Sequence, residues 1–168
     1  MAQEIFIKSI NLQHEINAMK GILPQSDYKK IDNKELFNTL ITDSNLRKLV
    51  WKLFEEGHHA RAVEEAYKYI DNLVKKRAGL SSSTLTGAKL MNKVFNNQNP
   101  ILKINAYENA SDRDEQLGYM EILSGCMTGI RNPRAHECDW EDEEQRALQL
   151  LIIANHLIER IKLSEINK

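Results

Sequence analysis

The sequence predicts an all-α protein that folds as a helical bundle. Apolar residues recur at spacings of three and four, which is the period of amphipathic helices. The 168 residues include only three prolines and seven glycines, so few positions interrupt helices. No segment alternates apolar and polar residues as a half-buried strand would. A hydrophobic content of 42% suits one compact domain with a smaller extension.

The front of the chain predicts an extension separate from the bundle. Residues 3–20 form an amphipathic helical pattern, which is followed by the helix breaker Pro24. The polar residues 25–33 are typical of a linker. We therefore assign residues 1–42 to an N-terminal helical extension and linker, and residues 43–168 to the bundle domain.

The domain contains a succession of helix signals. The predicted helices cover residues 44–57, 58–78, 88–95, 114–130 and 141–162. Asp43-Ser44 can cap the first of them, while Gly57 and Gly79 end the first and second. Residues 96–114 are expected to form a long loop, because Pro100 interrupts the helical pattern there. An acidic turn over residues 141–144 complements the dipole at the start of the last helix.

The predicted helix over residues 114–130 carries Gly118, Gly125 and Gly129 on one stripe. A glycine costs roughly 1 kcal/mol relative to alanine in a helix interior. A second backbone packed closely against the stripe would compensate for this cost. We favour a tight crossing within the domain, and a contact between two copies of the chain is the alternative.

Charge and composition restrict the class of protein. The formal net charge is −1 and the pI is about 6.5, which argues against a protein that coats nucleic acid. Two cysteines do not make a disulfide framework, and the start MAQEIFIKSI lacks the plan of a signal peptide. No apolar run approaches the roughly 20 residues of a membrane span. We expect a cytoplasmic protein without a membrane segment.

The stretch Arg131-Asn132-Pro133-Arg134-Ala135-His136 carries the candidate chemistry. Proline disfavours the α region for the residue before it, so we expect the preceding helix to end at Arg131 or Asn132. Pro133 suits the first position of a new turn that contains His136. Arg131 and His136 would then converge on one point, where a phosphate could also meet the Asn132 amide and free backbone N–H groups.

An arginine and a histidine at one phosphate suit phosphodiester cleavage. A histidine can deprotonate an RNA 2′-hydroxyl, which contributes about 10²–10⁴-fold to the rate. An arginine keeps its charge and stabilises the negative charge that grows in the transition state. The residue types alone leave a second interpretation open, in which Arg131 and His136 cap carbonyls or pair with the acidic turn over residues 141–144.

The order arginine, polar residue and histidine in this stretch resembles the signature of the HEPN superfamily, which lies near the junction of the last two helices of its bundle. The surrounding sequence is similar to the Ymh-type, abortive-infection branch in the stretches EEGHHARAVEEAYKYIDNLVKKRAGL, TGAKLMNKVF, QLGYMEILSGCMTGIRNPRAHE and ALQLLIIANHLIERI. The resemblance covers about residues 44–162, and residues 1–42 have no match in it.

The resemblance implies a HEPN-like bundle that dimerises and joins two Arg/His pairs in a composite cleft. It implies a metal-independent endoribonuclease without a cofactor, in which Arg131 and His136 are catalytic and Asn132 orients phosphate or holds the histidine. HEPN proteins act largely as toxins or effectors in host defence, so the expected partners are RNA, a second copy, and an antitoxin or operon-encoded protein. Some members are only binding or assembly modules, which is the alternative function.

Other side chains near these helices are candidates for substrate binding. Four cations are assigned to this role: Arg134, Lys75, Lys76 and Lys89. Three aromatic side chains could stack on unpaired bases: Tyr67, Tyr69 and Tyr119. A solvated helix face is the simpler interpretation of the lysines. Trp140 is predicted to anchor the last helix, with a roof over the cleft as the alternative.

Histidines and cysteines invite two further interpretations, which we do not favour. His58, His59, Cys126 and the pair His136-x-Cys138 could hold a metal, but no CxxC or HExxH spacing is present. A nucleophile made of Cys138 and His136 would need an orienting partner that the sequence does not indicate. We predict no metal, with Cys126 as a small core residue.

Overall fold

The computed structural model describes residues 32–137 and 139–167, which form a bundle of α-helices. The helices are α1 (Asn33–Leu40), α2 (Ser44–Glu55), α3 (His59–Arg77), α4 (Gly87–Val94), α5 (Ala110–Cys126), α6 (Asn132–His136) and α7 (Glu144–Leu163). The all-α prediction is confirmed. The helix predicted over residues 3–20 and most of the predicted linker lie outside the described residues.

Within the described part of the chain, β-structure is limited to one short antiparallel pair. Strand β1 (Leu102–Lys103) pairs with β2 (Glu165–Ile166), so that Leu102 faces Ile166 across the ladder. Two residues are too few to leave an alternating pattern in the sequence, which explains why this pair was not predicted. The ladder joins the loop after α4 to the chain after α7.

Helix α3 occupies the centre of the bundle and packs against α2, α4 and α7. Its buried apolar side chains are Ala62, Val63, Ala66, Tyr67, Ile70 and Val74. The facing positions of α7 are Ala147, Leu148, Leu151, Ala154, Leu157, Ile158 and Ile161. Both sets follow the three-and-four spacing that predicts amphipathic helices, so the core lies where the sequence pattern places it. No described helix has the length and hydropathy needed to cross a membrane.

Helix α1 belongs to this bundle. Residues Asn33–Lys168 form one compact unit, and the prediction that the domain begins at residue 43 is therefore corrected. Phe37 is fully buried, and its ring lies 5.0 Å from the rings of Trp51 and Phe54. The sequence does not predict α1, because an eight-residue helix with few apolar positions gives a weak periodic signal.

Asp43 joins the start of α2 to α7. Its carboxylate caps α2 by accepting a hydrogen bond from the Leu46 N–H at 2.7 Å, as the sequence predicts. The same carboxylate forms an ion pair with Lys162, and the Asp43 N–H donates to Asn155 Oδ1 at 2.9 Å. The cap is thus also a tertiary contact between two helices that lie far apart in the sequence.

The glycine stripe of α5 and the turn after it does not cross another helix among residues 32–137 and 139–167. A Cβ atom built at Gly118, Gly125 or Gly129 would meet nothing within 4 Å, so the predicted tight crossing within the domain is wrong. Gly125 and Gly129 are exposed, and Ile122 between the glycines is 49% exposed. The predicted helix also starts earlier, at Ala110, where the Asn109 side chain accepts a hydrogen bond from the Asp112 N–H.

The predicted break before Pro133 is replaced by a π-helical turn. Residues Met127–Arg131 form this turn, which runs into α6 without leaving helical geometry. Asn132 has φ −63° and ψ −43°, and its N–H bonds to the carbonyl of Met127, five residues earlier. The i→i+5 pattern widens the helix locally, which allows Pro133, without an N–H of its own, to follow in the same helical segment.

Candidate active site

Asn132 and His136 lie side by side on α6, because residues four apart share one helix face. Both line an open cleft of about 750 Å³. The other lining residues are Thr128, Pro133, Glu137, Asp139 and Trp140. Thr128 lies one turn before Asn132, so the cleft extends along the continuous π and α segment. The cleft thus contains two of the three residues assigned to catalysis.

Arg131 is linked to the cleft by a hydrogen bond to the lining residue Asn132. Its Nη1 donates a hydrogen bond to Asn132 Oδ1 at 3.2 Å, while Arg131 itself is half-buried and is not one of the lining residues. The expected convergence of Arg131 and His136 is therefore indirect, because the helix continues instead of breaking. The bond orients the amide of Asn132, since its oxygen faces the arginine and its NH₂ group remains a donor.

His136, at the end of α6, is exposed to solvent. It also borders a second hollow of about 310 Å³, which includes Ala60, Arg61 and Glu64 from the first turns of α3. A histidine with this access can exchange a proton with a ligand in the cleft. The arrangement offers a proton carrier, an amide and a nearby guanidinium, which are groups that can recognise and act on a phosphodiester.

The cleft also has acidic walls. Glu137 and Asp139, which directly follow α6, line it beside His136. Their charges oppose a phosphate, so cations from elsewhere would have to balance them in any complex with RNA. This feature agrees with the nearly neutral net charge of the whole chain.

Arg134 does not have the substrate-binding position predicted for it. Its side chain is 1% exposed and forms a forked ion pair with Asp142, with Nε–Oδ2 at 2.6 Å and Nη2–Oδ1 at 2.7 Å. Its Nη1 donates to the Ile130 carbonyl at 2.6 Å. Arg134 is two positions from both Asn132 and His136, so it leaves the opposite face of α6. The assignment is corrected: this guanidinium is buried and already bound.

The three lysines assigned to substrate binding do not line the cleft. Lys75 is fourteen residues after Arg61 on α3, which at 1.5 Å per residue is about 21 Å along the helix axis. Lys75 pairs with Asp71 at 3.4 Å, and the Asp71 carboxylate also accepts a hydrogen bond from the Gly87 N–H. Lys76 on α3 and Lys89 on α4 are exposed, and neither lines the cleft. The structure does not bring these three lysines into the cleft, and their assignment to substrate binding stays a prediction.

Two of the three tyrosines are engaged within the fold. Tyr67 is fully buried and its hydroxyl donates to the Leu150 carbonyl at 3.1 Å, so it cannot stack on a base. Burial raises the pKa of Tyr67, and the neighbouring Cys126 adds to the effect. Tyr119 Oη lies 2.8 Å from His156 Nε2, and its ring lies under the Arg160 guanidinium at 5.0 Å. Tyr69 is half-buried.

His59 and Cys126 have structural contacts. His59 Nδ1 lies 3.3 Å from the Asp142 carbonyl oxygen, and its ring lies 5.3 Å from that of Phe54. Cys126 is buried, and burial raises the pKa of its thiol against the opposing effect of a hydrogen bond with Tyr67. Among residues 32–137 and 139–167, no three His, Cys, Asp or Glu side chains are placed to hold a metal. Cys138, and with it both interpretations that use this residue, lies outside the described residues.

Sequence reasoning missed Asp142 and the acidic wall. Asp142 was assigned to the first turn of the last helix, but α7 begins only at Glu144, and the Asp142 side chain is fully buried against Arg134. The sequence signal for this ion pair was the spacing of Arg134 and Asp142, which are eight positions apart with Trp140 between them. The Trp140 ring lies 5.4 Å from the Arg134 guanidinium. Trp140 also lines the cleft.

The comparisons with known proteins give a family but no activity. No curated protein and no solved structure matches the chain. One family model matches it, and the matched residues 41–161 contain the cleft, Arg134 and Asp142. Since this match spans most of the sequence, the chain belongs to the family described as a protein of unknown function, Hypoth_ymh.

Proposed function

We propose that this protein is a HEPN-type endoribonuclease that acts in the cytoplasm as a toxin-like effector of anti-phage defence. The observation that carries the proposal is the placement of Asn132 and His136 on one helix face in an open cleft, with Arg131 bonded to Asn132 Oδ1. The spacing of these three residues also matches the HEPN signature noted in the sequence. An antitoxin or operon-encoded partner would restrain such an activity in the cell.

The proposed reaction uses groups of the chain itself. His136 takes the proton of an RNA 2′-hydroxyl, whose oxygen attacks the adjacent phosphorus as the bond to the 5′-oxygen breaks. The leaving 5′-oxygen takes a proton from solvent or from a second histidine. Arg131 and the Asn132 amide stabilise the charge on the phosphoryl oxygens. The products are a 2′,3′-cyclic phosphate and a 5′-hydroxyl, and the reaction needs no added metal or cofactor.

The glycine stripe of α5 supports a dimer that would complete the site. Gly118, Gly125 and Gly129 leave space for a second backbone, and none of the residues that the structure describes fills it. The stripe adjoins the cleft, because Gly129 follows the lining residue Thr128. Two copies packed along this stripe would bring their clefts together. The Arg131 side chain of the second copy would then add positive charge that balances the acidic wall of the cleft.

A non-catalytic binding or assembly module is the second candidate. Glu137 and Asp139 favour it, because their negative charges beside His136 oppose a polyanion. In this version, Arg131, Asn132 and His136 bind a nucleotide or a partner protein without cleaving RNA. Both candidates use the same residues, so only a measurement of chemistry separates them.

The test is cleavage of a labelled, mixed-sequence RNA in the presence of a chelator. We expect His136→Ala to lower the cleavage rate by about 10²–10⁴-fold, because it removes the proton acceptor. Arg131→Ala should lower it by about 10²–10³-fold through lost charge stabilisation. His156→Ala is the matched control, since His156 is an exposed histidine that does not line the cleft.

End-group analysis identifies the chemistry. A 2′,3′-cyclic phosphate that disappears with His136→Ala and persists with His156→Ala supports the nuclease. Equal cleavage by all variants would assign the activity to a contaminant or another site. Absence of cleavage by the wild type, combined with RNA binding that requires Arg131, would favour the second candidate.

A further inference from the structure

The Arg134–Asp142 pair lies directly behind the candidate site. Asn132 and His136 leave one face of α6, while Arg134, halfway between them, leaves the other. The Arg134 and Asp142 side chains are 1% and 0% exposed, so neither is available to a ligand. Any role of this pair in the proposed function must therefore be exerted through the residues that it holds.

The Arg134 guanidinium uses three of its nitrogens at once. Nε and Nη2 grip the two carboxylate oxygens of Asp142, and Nη1 binds the carbonyl of Ile130 in the π-helical turn. A planar fork of this kind fixes orientation as well as distance. Arg134 thus joins three successive pieces of chain: the π turn, α6 and the segment that leads into α7.

Asp142 in turn fixes the segment that forms one wall of the cleft. Its backbone carbonyl lies 3.3 Å from His59 Nδ1 on α3, while its carboxylate is held by Arg134. Two residues earlier, Trp140 lines the cleft that contains His136, and its ring lies 5.4 Å from the Arg134 guanidinium. One ion pair therefore sets the position of the Trp140 wall relative to the helix that carries His136.

We propose that Arg134 and Asp142 are positioning residues of the candidate site, which hold Trp140 and His136 in a fixed relation without touching substrate. The contacts of Arg134 and Asp142 are those of the structure, while the effect of the pair on RNA cleavage rests on the proposed function. Arg134 is thereby assigned a role different from that of Arg131, although both arginines belong to the same short motif.

The experiment uses the full chain with Trp51→Phe, so that Trp140 is the single tryptophan. Acrylamide quenching of Trp140 fluorescence reports its exposure, and the NMR chemical shifts of the His136 imidazole at one fixed pH report its surroundings. The variants are Arg134→Lys and Asp142→Asn. Arg160→Lys is the matched control, because Arg160 also forms an ion pair, with Glu115 at 2.8 Å, but lies sixteen residues after Glu144, the first residue of α7, which is about 24 Å along the helix axis.

We expect Arg134→Lys and Asp142→Asn to raise the quenching constant of Trp140 by about twofold or more, since a lysine cannot reproduce the fork. The His136 imidazole resonances should shift in the same variants, while Arg160→Lys leaves both measurements unchanged. RNA cleavage should fall by about 10-fold or more with Arg134→Lys relative to Arg160→Lys.

Other outcomes overturn the proposal. Folded variants with wild-type quenching and wild-type His136 resonances would show that the pair does not position the site. Loss of folding in both variants would make the pair a general stabilising contact instead. If the wild type cleaves no RNA, the proposed function fails, but the fluorescence and NMR results still decide whether the pair positions Trp140 and His136.

Discussion

Arg131 and Arg134 differ in environment because they leave opposite sides of one helical segment. Within the described part of the chain, Arg131 makes a single side-chain hydrogen bond, to Asn132, and is half-buried. Since a guanidinium has five N–H donors, most of those of Arg131 remain for a ligand. Arg134 is 1% exposed and is held by Asp142 and the Ile130 carbonyl. Residue type alone therefore does not identify the arginine that can meet a phosphate.

Another buried charge, Glu64, makes the stability of the protein depend on pH. Burial would raise the pKa of this carboxyl, but hydrogen bonds and charges from Lys68 and Arg61 outweigh it and hold the pKa below its usual value. A lowered folded-state pKa contributes stability above the unfolded-state pKa of about 4.3, and this contribution is lost as the pH falls through the folded-state value.

We expect Glu64→Gln to lower the free energy of unfolding by about 1 kcal/mol at pH 7 and by progressively less below about pH 4.3. Urea unfolding followed by circular dichroism between pH 7 and pH 3 measures this. Glu56→Gln is the control, because Glu56 belongs to an exposed pair with Lys52 at 3.8 Å. A Glu64→Gln effect that is constant across this range would contradict the assignment.

At the scale of elements, α1 and the π turn depart from what local patterns predict. The ends of α2 and α3 were predicted because the Asp43 cap and the glycines at Gly57 and Gly79, with φ of +84° and +68°, act locally. Helix α1 was missed because its stability comes from Phe37 packing on α2. The π turn was missed because a local widening of the helix leaves no pattern in the sequence, although it relieves the clash of a proline ring with the carbonyl four residues earlier.

Helix α1 should therefore respond to substitution as part of the core. We expect Phe37→Ala to lower the free energy of unfolding by about 3–5 kcal/mol, because Phe37 is fully buried against Trp51 and Phe54. Leu40→Ala in the same helix should change it by less than about 0.5 kcal/mol, since Leu40 is 41% exposed. Chemical denaturation of both variants checks the difference. Similar effects of the two substitutions would place α1 outside the core.

At the scale of the whole molecule, the stripe on α5 is exposed, and no other described residue packs closely against its glycines. Three glycines and a half-exposed isoleucine form a surface next to the cleft, and helices with small residues at such spacings can approach closely. A chain with a net charge of −1 and an acidic wall beside His136 gains most from a second copy that adds its own Arg131. Oligomeric state and activity should therefore change together.

We expect the wild type to sediment as a dimer and Ile122→Glu to sediment as a monomer, because the new charge would be buried in the contact. Ile153→Glu on α7 is the matched control: Ile122 and Ile153 are 49% and 41% exposed. Sedimentation velocity at micromolar concentrations distinguishes the two states. A monomeric wild type, or equal dissociation by both variants, would argue against the α5 stripe as the contact.

The amino-acid sequence alone was enough to establish the all-α class, the extents of α2, α3 and α4 to within about two residues, and the stretch that contains the site. Periodicity, caps and glycines act over a few residues, so their effects can be predicted without a fold. Only the tertiary structure decided that α1 joins the core, that Arg134 is buried on Asp142, and that Asn132 and His136 share a cleft. These outcomes depend on which side of a helix faces the rest of the bundle, and that direction is set by contacts between distant parts of the chain.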